Sequence, residues 1–299
     1  MRLENNMEIK SNNRPSKALS IRTMANAIAL SFFILCSTTA FAQSNPYQRV
    51  EAPTPPAHLN GGNWGEMIQV RVGPAGNVYV YHRCFKAVLG DPNVAPGHSD
   101  GLSANCLGGW SIYPPILKFS PNGQFIAGFG TGLVGRPHGF NLDHEGNMWI
   151  TDVMLVEGKS GAVVLKLSPT GELLLTLGKP GIVGEDNQTF NRPASVAVAS
   201  NGDIFVADGE GPNNRIVKFS ADGHYLSEWG NTGSGPGQFN TPHDLAIDSQ
   251  GRLFVGDRGN SRIQIFEADG TFVDQWTHFG RPSGIYINTQ TDTLYATDS

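Results

Sequence analysis

From about Gly65 onward the chain alternates short apolar runs with turns built on Gly, Asn and Asp. The stretch Thr241–Phe266 shows the unit most plainly. Leu245 and Ile247 lie two apart, and a Ser249-Gln250-Gly251 turn follows. Leu253-Phe254-Val255 then runs to Asp257, and Arg262–Phe266 follows a corner at Asn260. Alternating Val, Ile, Leu and Phe bounded by turn residues is the signature of antiparallel strands.

The unit recurs. A Pro opening one strand and an Asp closing the next are 15 residues apart in Pro137/Asp152, Pro193/Asp208 and Pro242/Asp257, and 16 apart in Pro282/Asp298. Met67–His82 is an earlier copy that lacks both markers. Each complete copy continues with a third strand (Ile116–Phe119, Val164–Leu167, Ile216–Phe219, Ile263–Phe266). A Gly-bearing turn and a fourth strand follow (Phe125–Phe129, Leu173–Leu177, Tyr225–Trp229, Phe272–Trp276). Four strands per repeat predict an all-β propeller of four-stranded blades over residues 65–299, against a β-hairpin solenoid as the competing architecture. About four and a half blades are countable, which leads to the expectation that the sequence is truncated.

Composition adds limits. A formal net charge of −5 with no concentrated Lys/Arg footprint argues against a nucleic-acid partner. Lys17 and Arg22 precede the apolar run Ala25–Cys36, and Ala40-Phe41-Ala42 follows. This reads as a signal peptide over 1–42, with a membrane anchor as the alternative, and the run falls short of the roughly 20 residues a span needs. A secreted or periplasmic protein, off the membrane after cleavage, is expected, with residues 43–64 as an extended lead-in. Export would pair the remaining Cys84 and Cys106 in a disulfide, metal ligation being the other option. That bridge would pin the insertion Phe85–Pro115 as a lid.

Residues in one slot of successive blades ring a common axis. The slot after the leading Pro holds His138, Ala194, His243 and Ser283. The slot after the closing Asp position holds Arg83, Val153, Gly209, Arg258 and Ser299. Two imidazoles facing one point suit a metal ion, and two guanidiniums nearby suit a carboxylate. The plain alternatives are histidines that cap their own strands and arginines paired locally, Arg258 with Asp257 or Asp244.

Asn213-Asn214-Arg215-Ile216 with Phe219, and Asn260-Ser261-Arg262-Ile263 with Phe266, resemble the N-x-R-I-x-x-F string of NHL repeats, a six-bladed propeller family. The ordered set Tyr81-His82-Arg83, Arg136-Pro137-His138-Gly139, Thr241-Pro242-His243-Asp244 and Asp257-Arg258 resembles the peptidyl-α-hydroxyglycine α-amidating lyases. Those enzymes release a peptide amide and glyoxylate. The resemblance implies zinc on His138 and His243, active-site arginines at Arg83 and Arg258, and a structural calcium on backbone carbonyls near Val70 and Phe140. It implies a small carboxylate or peptide-end substrate. Two departures stand out: the third zinc histidine has no counterpart here, and the family's Tyr after Asp-Gly is replaced by Glu210. Glu210 is accordingly read as the base that removes the hydroxyl proton. A non-catalytic NHL propeller binding a protein or glycan, and a lactonase or antibiotic-opening lyase, are the competing functions.

Overall fold

A computed structural model describes residues 53–59, 64, 66–83, 113–156 and 160–299, all within the compact unit Val50–Ser299. The leader at 1–42, Cys84, Cys106 and most of the insertion between them lie outside the described residues. Blade 1 comprises β1 (Glu66–Val72), β2 (Val78–Arg83), β3 (Ile116–Phe119) and β4 (Phe125–Phe129). Blade 2 holds β5 (Pro137–Leu142), β6 (Met148–Val156), β7 (Ser160–Leu167) and β8 (Leu173–Leu177). Blade 3 holds β9 (Pro193–Val198), β10 (Ile204–Asp208), β11 (Arg215–Phe219) and β12 (Tyr225–Trp229). Blade 4 holds β13 (Pro242–Ile247), β14 (Leu253–Asp257), β15 (Arg262–Phe266) and β16 (Phe272–Trp276). The last sheet has two strands, β17 (Pro282–Asn288) and β18 (Thr293–Asp298). All pairings within the sheets are antiparallel, as expected for propeller blades.

The core lies between blades. Tyr79, Tyr81 and Ile116 of blade 1 pack on Phe140, Met148 and Ile150 of blade 2. Trp149 and Val164 meet Val196, Ile204 and Val206 across the next seam, and Phe205 and Ile216 meet Leu245, Val255 and Phe266 across the third. Alternation puts one face of each sheet against each neighbour, so a blade buries both faces only when flanked.

The innermost strands are also tied across the axis. Asp244 of β13, almost fully buried, accepts from Ser195 Oγ of β9 (2.7 Å), the Ile285 amide of β17 (2.8 Å) and Gln69 Nε2 of β1 (3.3 Å). Gln69 Oε1 in turn accepts from the Phe140 amide of β5. One buried carboxylate and one amide thus join all five inner strands.

Within each blade a second carboxylate recurs at the end of the second strand. Asp152 accepts from the amides of Gly135 (2.7 Å), Arg136 (2.8 Å) and Met154 (3.0 Å). Asp208 takes the Asn191 amide (2.8 Å), Asp257 the Asn240 amide (2.7 Å) and Asp298 the Gly280 amide (2.6 Å). In every case the donor sits one or two residues before the leading Pro. The Asn and Arg of the NHL string join the same carboxylates: Asn213 (2.6 Å) and Arg215 (3.2 Å) on Asp208, Asn260 (2.9 Å) and Arg262 (2.8 Å) on Asp257. Arg262 also donates to the carbonyls of Ser234, Gly235 and Gln238. The string is therefore a brace that holds the loop preceding each inner strand. Arg262 is 5% exposed, and truncating one partner of a buried, fully bonded pair costs about 3–5 kcal/mol. Urea unfolding of Arg262→Ala should show a loss of that size; a loss below about 1 kcal/mol would contradict the brace.

Candidate metal and anion site

The Asp brace ends in a β-bulge. Pro242 pairs with Asp257 but Asp244 with Gly256, so His243 is an extra residue on its strand. Ser283 is extra in the same way (Pro282 with Asp298, Gly284 with Thr297), and so is Ala194. In β5 the shift falls between Pro137 and Phe140 and includes His138. A bulge takes a side chain out of the strand's alternation and re-aims it, here to the channel.

Both histidines are fixed by the next blade. His138 Nδ1 lies 2.8 Å from the Ala194 carbonyl and His243 Nδ1 lies 2.6 Å from the Ser283 carbonyl. These acceptors occupy the same slot one blade on, so the histidines cap neighbouring blades rather than their own strands. A carbonyl can only accept, so each Nδ1 carries the proton, and a neutral ring turns the lone pair of Nε2 to the channel. The close approach needs Gly139: a Cβ there would fall 2.6 Å from the Ala194 oxygen.

The two rings lie 4.9 Å apart between centroids. Glu210, which follows Asp208-Gly209, projects Oε1 to 3.2 Å from His243 Nε2 and 3.8 Å from His138 Nε2. Gly209 permits this, because a Cβ there would overlap the Pro242 carbonyl. The ligand atoms of the three residues all lie within 4.8 Å of one another. Among the described residues this is the one such group of three or more His, Cys, Asp or Glu. Burial pushes His138 down to about 4, so its ring is neutral near pH 7. Glu210 is pulled down to about 2, first by the approach of His243, and is ionised. Its Oε1 is buried and receives no hydrogen bond among the described residues.

Arginines surround this cluster. Arg258 Nη1 lies 3.5 Å from Glu210 Oε1. The local pairing with Asp257 or Asp244 is not formed, since Arg262 takes Asp257 and the inner strands take Asp244. Arg83 bonds the exposed Glu66 (2.8 Å) and, through Nε, the Pro137 carbonyl (3.4 Å), yet its charge reaches His138. A cavity of about 390 Å³ opens beside them, lined by Arg83, Arg136, His138, Val153, Met154, Arg192 and Glu210. Arg136 and Arg192 were not read from the sequence. The signal was the residue before the leading Pro, Arg in three of four copies (Arg136, Arg192, Arg281). Arg192 has φ 65°, and Thr241 in the same place has φ 58°, so the left-handed turn belongs to the blade and not to the guanidinium.

The other histidines stay out of the cluster. His224 pairs with Asp222 at the surface (3.2 Å). His82 is fully buried with Nδ1 3.2 Å from the Arg83 carbonyl. Near the expected calcium position the Val70 carbonyl accepts from Arg71 (3.1 Å), and Phe140 is held by Gln69.

The NHL repeat family matches residues 190–219 and 239–266. Over 153 residues the chain is 40% identical to NHL repeat-containing protein 3 of Homo sapiens, covering 49% of this chain and 43% of that protein. Peptidyl-glycine alpha-amidating monooxygenase of Mus musculus is 41% identical over 154 residues, 48% of this chain and 15% of that one. Peptidyl-alpha-hydroxyglycine alpha-amidating lyase 2 of Drosophila melanogaster is 29% identical over 177 residues, 55% and 38%. The chain spans less than half the length of each. Two solved structures share the architecture. A virginiamycin B lyase from Staphylococcus aureus has TM-score 0.50 and 15% identity over 78% of this chain and 63% of its own. A candidate gluconolactonase has TM-score 0.51 and 16% identity, over 79% and 72%. At that identity they establish the propeller fold alone.

His82 gives the fold a pH dependence separate from the cluster. Burial lowers it to about 4 against an unfolded value of 6.5. The unfolded chain therefore binds a proton first as pH falls through 6.5, and stability drops progressively toward pH 4. The full term is on the order of 3 kcal/mol. His82→Gln should flatten the decline between pH 6.5 and 4 in denaturant titrations; an unchanged slope would contradict it.

Proposed function

From NHL repeats and homology to the amidating lyases, we propose that this chain carries the active site of a metal-dependent carbon–nitrogen lyase acting on a peptide end that bears a carboxylate, as in peptidyl-α-hydroxyglycine. The observation that carries the reading is the convergence of His138 and His243 from different blades beside Arg83 and Arg258. The donor set fits a metal: two neutral imidazoles, each pinned at Nδ1 by a carbonyl, turn Nε2 onto one point, as in zinc sites. Lewis-acid polarisation of the substrate hydroxyl is the chemistry a bound zinc would supply there.

The chain's own residues do the rest. Arg258 and Arg83 bind and orient the substrate carboxylate through charge-assisted hydrogen bonds. Arg136 and Arg192 add positive charge to the same cavity and draw the anion in. Met154 and Val153 provide its apolar wall. The base role read for Glu210 competes with its position, because Oε1 is turned onto both histidines. The leader at 1–42 would place the enzyme outside the cytoplasm or in the periplasm, and the Cys84–Cys106 bridge and a structural calcium near Val70 and Phe140 belong to the same proposal. Similarity to NHL repeat-containing protein 3 supports the alternative of a binding propeller.

Purified protein should release glyoxylate from a peptidyl-α-hydroxyglycine, lose that activity to a chelator and regain it with zinc. Arg258→Gln should lower kcat/KM by roughly 10- to 150-fold, the value of one or two charge-assisted bonds. No glyoxylate from zinc-loaded protein would leave the binding reading in its place.

A further inference from the structure

The geometry points to Glu210 as a third metal ligand, making His138, His243 and Glu210 a two-histidine, one-carboxylate centre supplied by blades 2, 3 and 4. The inference rests on the proposed metal reading and changes the role of one residue within it.

Three observations carry it. First, the spacing fits. Nitrogen and oxygen donors at about 2.0–2.2 Å around a tetrahedral zinc stand roughly 3.3–3.6 Å apart. Glu210 Oε1 lies 3.2 Å and 3.8 Å from the two Nε2 atoms. Second, the polar inventory lacks a donor. Each Nδ1 gives its proton to a carbonyl, so in the neutral rings both Nε2 atoms are acceptors, and they face a carboxylate oxygen that can only accept. Three acceptors turned onto one point are unfavourable unless a cation lies among them. A doubly protonated His243 would satisfy Glu210 but leave His138 Nε2, 3.8 Å away, with the same deficit. Third, the buried Oε1 receives no hydrogen bond among the described residues, whereas a base awaiting substrate would be held by one or exposed to water. Arg258, at 3.5 Å, keeps the carboxylate charged and steers it inward.

The consequence is that the departure from the lyase pattern is a ligand change. Carboxylate and imidazole both suit zinc, and two histidines with one glutamate form an established catalytic set with an open position.

The test is zinc affinity of the full chain, measured by competition with a chromophoric chelator. Comparison of wild type with Glu210→Ala, Glu210→His and His138→Ala is supported by visible spectra of the cobalt(II)-loaded proteins. Loss of a residue that merely orients a ligand costs 10- to 100-fold in affinity. Glu210→Ala should therefore weaken binding at least about a hundredfold and alter the cobalt bands, while Glu210→His should recover most of the affinity. Circular dichroism of the metal-free variants controls for folding. Glu210→Ala binding zinc within about twofold of wild type, while His138→Ala loses it, would overturn the ligand role and leave the metal site standing with Glu210 as a base. Wild type that holds no zinc would overturn the metal reading itself.

Discussion

A buried carboxylate closing the second strand of a blade is the constraint on which the site depends. Asp152, Asp208, Asp257 and Asp298 each take an amide from the segment just before the leading Pro. That bond fixes where the inner strand starts, and the bulge after the Pro then decides which residue leaves the ladder. In blades 2 and 4 that residue is His138 and His243. In blades 3 and 5 it is Ala194 and Ser283, whose carbonyls hold the two imidazoles. Alternate blades thus supply the functional group and its anchor. A ligand of this kind is held by packing and backbone, not by a flexible loop, which is the preorganisation a metal or an oxyanion requires.

Electrostatics follow from the same placement. Burial keeps His138 neutral, and the surrounding arginines keep Glu210 ionised. The cavity therefore carries one compensated carboxylate among several guanidiniums, a setting for an anionic end-group rather than an apolar ligand. Asp244 and Gln69 close the inner strands on one another and prevent the slots from drifting apart.

Much of this was legible in the chain because a propeller repeats. Once Pro and Asp are counted at matching separations, the slots align, and the fourth strands Phe125–Phe129 through Phe272–Trp276 fall where the pattern puts them. The histidine pair and both slot arginines follow from equivalence alone. What pattern could not show was partnership across the seams. Glu210 sits in a turn whose length differs from the lyase string, and nothing in its sequence position says that it crosses to two histidines. Arg136 and Arg192 precede a Pro, a position that reads as turn chemistry. Asp244 follows His243 and reads as a partner for Arg258, yet the bulge sends it inward to Ser195 and Ile285. Side-chain direction at a bulge is set by the neighbouring blade, which sequence spacing does not encode.

The most direct check is anomalous diffraction at the zinc edge from crystals of the protein grown with zinc. The account places a single strong peak among His138 Nε2, His243 Nε2 and Glu210 Oε1. A map with no peak there, or with zinc bound elsewhere while those three side chains keep their contacts, would contradict it.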